Sequence, residues 1–185
     1  TSAAFWRIAP LTALSQATLF AVQGLWAGPW LKEVSRLGAD AVVATLLWMA
    51  VAMVAGFIGL GAMATQLQRW GVPVLRTAVT GMVLFMVVQA LLLAGPGDWI
   101  TPLWLGFGFF GTSGIIAYAA LTQLFPVHLA GRVNTAVNLL VFVAAFIGQW
   151  AIGVIAGWWS PAGPAQVAAT GLRAGFACLL ICQVC

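Results

Sequence analysis

Six long apolar stretches, 5–28, 40–64, 72–95, 99–123, 131–157 and 166–185, fill almost the whole chain, and short polar breaks separate them. A bilayer hydrocarbon core of roughly 30 Å takes about 20 helical residues, and each stretch meets that length. None alternates with period 2, so the pattern favours helices over strands. Backbone groups left unpaired in lipid cost several kcal/mol each, which leaves helices as the spanning form. The pattern therefore predicts an all-α polytopic bundle: one domain, residues 1–185, of six transmembrane helices.

The breaks carry helix-end chemistry. Gly28-Pro29 is expected to stop the first helix, Gly71 and Pro73 to part the second from the third, and Gly95-Pro96-Gly97 to end the third. Phe125-Pro126 ends the fourth, and Ser160-Pro161 with Gly163-Pro164 precedes the last. Asp40 and Asp98 are candidate caps for the second and fourth helices. Trp6, Trp26, Trp30, Trp70, Trp99, Trp104, Trp158 and Trp159 fall near helix ends and are expected to form interfacial belts.

Composition sharpens this picture. The chain is 63% hydrophobic and 5% charged with mean hydropathy +1.08, against roughly 25% charged in a soluble domain. The charges are too dispersed for nucleic-acid binding and report orientation instead. Arg7, the 65–76 loop and the 124–132 loop share one side with four Arg and no acid; Lys32, Arg36 and Arg173 share the other with every acid, Glu33, Asp40 and Asp98. The first side is then expected to be cytoplasmic, in an integral membrane protein. No signal peptide is visible, and both ends have the look of cuts in a longer protein. Cys178, Cys182 and Cys185 share one face of the last helix and read as small apolar residues, with no metal or cofactor expected.

Polar residues at membrane depth carry most of the functional information, because each is costly in lipid. On the fifth helix Asn134, Asn138 and Gln149 lie within about 60° of one another. Thr12, Gln16 and Gln23 make a similar stripe on the first, with Trp26 a turn beyond, and Thr112, Ser113 and Tyr118 lie on the fourth. Three such helices could wall a pathway for a small-molecule solute; their alternative role is hydrogen bonding between packed helices. The third and sixth helices lack such stripes apart from Gln89 and Gln183 and are expected to face lipid. No carboxylate lies mid-span, so no proton carrier is evident and the solute is expected to be neutral or amphipathic.

Gly111-Thr112-Ser113-Gly114 resembles the G-x-S-G motif of rhomboid intramembrane proteases. That chemistry needs a base, and the single histidine, His128, is expected in the loop after the fourth helix, so no enzyme is expected. Ala55-Gly56-Phe57-Ile58-Gly59 matches Ala144-Ala145-Phe146-Ile147-Gly148, an offset that lays the first helix on the fourth and points to two inverted three-helix units.

Gly24-Leu25-Trp26-Ala27-Gly28-Pro29-Trp30-Leu31, closing the first helix, resembles the seventh helix of bacterial major facilitator superfamily transporters. Gly61-Ala62-Met63-Ala64-Thr65-Gln66-Leu67-Gln68-Arg69-Trp70-Gly71 is similar to that family's G-x-L-A-D-R-x-G-R-R loop, with Gly61, Arg69 and Gly71 carrying over and Thr65-Gln66 replacing Asp-Arg. Leu124-Phe125-Pro126 and Ala130-Gly131-Arg132-Val133-Asn134 resemble the loop into the eleventh helix. The resemblance implies the C-terminal six-helix half of a secondary transporter working by alternating access, without the family's charged loop latch. Its first, second, fourth and fifth helices would wall the cavity. It also implies a partner, either an N-terminal six-helix half or a second copy forming a homodimer. The competing expectation is a non-transporting membrane scaffold.

Overall fold

A computed structural model describes residues 3–95, 97–158 and 169–185. Among them the chain is helical, with no strand. We number the helices α1, Phe5–Val34; α2, Ala39–Arg69; α3, Val74–Ala94; α4, Gly97–Gln123; α5, Val127–Trp158; and α6, Ala169–Val184. The first five are each long and apolar enough to cross a membrane, and α6 is a shorter apolar helix. The expected start of the last helix at 166, the Ser160-Pro161 and Gly163-Pro164 break, Trp159 and Pro96 all lie outside the described residues.

Several helices run further than the punctuation predicts. Gly28-Pro29 does not stop α1; the helix continues to Val34 through π-helical turns at Val22–Trp26 and Trp30–Val34, one on each side of the proline. A π turn carries an extra residue, and such turns accommodate the missing amide and the bulk of a proline ring inside a helix. Arg36, at φ 54°, then turns the chain, and Leu37 N–H donates to the Leu31 carbonyl. α2 reaches Arg69, so Gly61 and Arg69 are helical, and only Gly71 belongs to the turn. Gly71 takes φ 86°, donates to Gln68 O, and lets Val72 donate to Leu67 O. This left-handed closure suits glycine, and Pro73 follows because it cannot continue the helix. α5 begins at Val127, which places His128 in its first turn and Arg132 inside it rather than in a loop. Gly38, not Asp40, caps α2, and Asp40 lies in the first helical turn with no capping bond. Asp98 sits in the short 3-10 turn that opens α4.

α1 packs on α5, and α2 packs on α4. The second contact is very close: a Cβ on Gly108 would stand 2.6 Å from the Met49 carbonyl oxygen, and one on Gly56 would stand 2.5 Å from that of Phe109. Only glycine allows backbones this near, the usual device where lipid supplies no hydrophobic drive between helices. α3 rests on α4, and α6 rests on α5 and on the end of α1.

Trp30 and Trp104 are fully buried around Phe176 in the main core, not in an interfacial belt. Trp6, Trp70, Trp99 and Trp158 are exposed near helix ends. The barest helices are not the third and sixth. In their most apolar stretch α2 is 22% and α5 28% buried, against 44% for α3.

Candidate functional site: two sets of polar residues

The polar residues expected to form one pathway separate into a dry set and an open set. The dry set gathers where α4 breaks. Thr112 Oγ1 donates to Phe109 O at 2.7 Å, and Ser113 N–H, Ile115 N–H and Ile116 N–H donate to carbonyls three residues back. A hydroxyl competing for a helix carbonyl loosens the ladder in this way. Gln16 of α1 meets the break by donating from Nε2 to the buried Gly111 carbonyl at 2.8 Å. Gly114 makes room, since a Cβ there would overlap the Gln16 amide. Thr12 Oγ1 donates to Ile8 O within its own helix. Ser113 Oγ is buried with no hydrogen-bond partner among the described residues, and His128 is exposed at the start of α5. Thr12, Gln16 and Thr112 therefore spend their donors on protein carbonyls, and Ser113 is buried.

The open set lies along α5 and the neighbouring edges of α1 and α4. Asn134, Asn138 and Gln23 are exposed. Tyr118 of α4 donates its hydroxyl to Asn138 Oδ1 at 3.4 Å. One turn beyond Asn138, Phe142 stacks on Phe20 of α1 at 6.0 Å between centroids. Half-buried Gln149 donates to Phe20 O at 3.5 Å, and Trp26 Nε1 donates to Gln149 O at 3.1 Å. The amides and Phe142 of α5, the Tyr118 hydroxyl of α4 and Phe20 of α1 thus make an uncharged set, and Gln149 secures a carbonyl just before the π turn of α1.

Counting 1.5 Å per residue from the helix midpoints puts Asn138 about 7 Å and Gln23 about 5 Å from mid-span. An amide there loses several kcal/mol if it faces hydrocarbon. Contact with water or other protein is favoured over lipid on this face.

A third feature escaped the reading of the stripes. Gln89 of α3 and Gln183 of α6 are buried against each other, Gln89 Nε2 donating to Gln183 Oε1 at 3.3 Å and Gln183 Nε2 donating to Gln89 Oε1 at 3.0 Å. Each amide also donates to the carbonyl four residues earlier in its own helix, Phe85 O and Leu179 O. The two glutamines themselves, one in each helix, were the available signal. Their pairing shows that α3 and α6 are joined and do not simply face lipid.

Comparison with protein-family models, with curated proteins and with solved structures finds no match.

Proposed function

We propose that the chain is a six-helix half of a secondary transporter of the major facilitator type, passing a small uncharged solute along the Asn134–Asn138 face by alternating access. The observation that carries this reading is the exposure of Gln23 and Asn138 close to mid-span, where a stable surface needs water or a partner. The amides, the Tyr118 hydroxyl and the Phe20–Phe142 pair offer a solute hydrogen bonds and stacking without a fixed charge.

The inverted-repeat reading has matching support. The offset of 89 residues that aligns Phe57 with Phe146 also aligns Phe20 with Phe109, and the Val22–Trp26 π turn with the Thr112–Ser113 break. Interrupted helices in corresponding positions of two halves are a recurring feature of transporters built from repeats. The packing follows the same exchange: α2 sits on α4 as α5 sits on α1.

Labelling tests this reading. With Cys178, Cys182 and Cys185 changed to Ser, a cysteine at Asn138 should react with a membrane-impermeant thiol reagent, and one at the 65% exposed Leu139 should not. Uptake across a panel of neutral solutes should fall about tenfold in Asn138→Ala, the factor carried by one lost hydrogen bond of about 1.4 kcal/mol. Inert Asn138→Cys together with unchanged uptake would leave the scaffold reading in its place.

A further inference from the structure

We infer that the end of the bundle formed by the starts of α1 and α5 holds an anionic phospholipid, with Arg132 on its phosphodiester and an acyl chain in the recess beside it. The recess is a shallow surface depression of about 290 Å3, open along one side of the bundle. Phe5 and Trp6 wall it from α1, Phe125 from the α4–α5 turn, and Leu129 and Val133 from α5; Arg132 is its only charged wall among the described residues. Trp6 is 53% exposed, so one side of the recess meets the surroundings. This face lies on the flank of α5 opposite Asn134 and Asn138, so the inference rests on the membrane-spanning fold and not on transport.

Depth and charge select the occupant. Counted from the α5 midpoint, Arg132 stands about 16 Å from mid-span, at the hydrocarbon boundary, from which its long stem reaches the phosphate layer. Trp6 stands about 20 Å out by the same count on α1, at the level where indoles anchor. An apolar recess at this depth accepts a chain, and a guanidinium above it accepts a phosphodiester through paired N–H donors. Arg132 has no ion pair among the described residues, whose one pair is Lys32 with Glu33 at 3.9 Å at the opposite end. Arg7, Arg69 and Arg76 share the Arg132 end, while Glu33, Asp40 and Asp98 all lie at the other. A lipid ammonium would find four cations here and no carboxylate, which favours a headgroup of net negative charge.

Fluorescence quenching in reconstituted vesicles tests this. Phosphatidylcholine vesicles are doped with either brominated-chain phosphatidylglycerol or brominated-chain phosphatidylcholine, and the Trp6 signal is taken as the difference between the protein and its Trp6→Phe variant. Trp6 should be half-quenched at about fivefold less brominated phosphatidylglycerol than phosphatidylcholine, the preference expected of one arginine at a membrane surface. Arg132→Gln should abolish the preference, and Arg173→Gln, at the other end, should keep it. Equal quenching by the two lipids, or a preference that survives Arg132→Gln, overturns the inference. So does a Trp6 that neither lipid quenches, which would mean that protein covers the recess.

Discussion

Gln16 and Asn138 are both amides well inside the span of helices that pack together, yet they are held in opposite ways. Gln16 is buried, with its Nε2 on the Gly111 carbonyl freed by the break in α4. Asn138 is exposed, and among the described residues its amide meets only the Tyr118 hydroxyl at 3.4 Å. An amide that satisfies a freed carbonyl serves the fold, because losing it orphans a buried acceptor. An amide left open at mid-span adds little to the fold and is available to a solute or a partner. Polarity at membrane depth therefore does not by itself mark a pathway; where the partner atoms are decides between the two uses.

Substitutions separate the two kinds of amide by stability. Gln16→Leu should cost about 1–3 kcal/mol, since the Gly111 carbonyl stays buried without its donor, and unfolding of the purified protein in mixed micelles would register it. A cost near zero would erase the distinction. Gln89→Leu and Gln183→Leu should each cost about 1 kcal/mol. The double variant should cost less than the sum, because no unpaired amide remains; an additive result would mean the pair does not act as a unit. Asn134→Ala should change stability by less than about 0.5 kcal/mol, as expected for an exposed side chain with no buried partner. A larger loss in the same unfolding assay would move Asn134 into the structural set.

Much of the helical plan was legible in the apolar runs, and five of the six stretches correspond to helices able to span. The ends were less so. Proline at 29 reads locally as a stop, but π turns on both sides carry α1 past it. The Gly61–Gly71 segment reads as one loop motif, but helical propensity continues through Arg69, and only Gly71 needs the left-handed backbone. Trp30 and Trp104 read as belt residues by position, yet both pack on Phe176. Indoles near helix ends go to the core when neighbouring helices cover them, and no local pattern reports that.

For the site, the sequence alone determined which residues are polar and that Asn134, Asn138 and Gln149 share one face of a helix, because angular spacing is a local property of the backbone. It equally determined an all-helical, membrane-compatible chain, because apolar length is additive along the sequence. Only the tertiary structure decided that Gln16, Thr112 and Ser113 are dry, that Gln89 and Gln183 form a pair, and that Gln23, Asn134 and Asn138 remain open. Those outcomes depend on which helix covers which face and on carbonyls freed by irregular turns. Contacts between residues 94 or 95 positions apart, such as Gln89 with Gln183 and Gln16 with Gly111, leave no periodic trace in the chain.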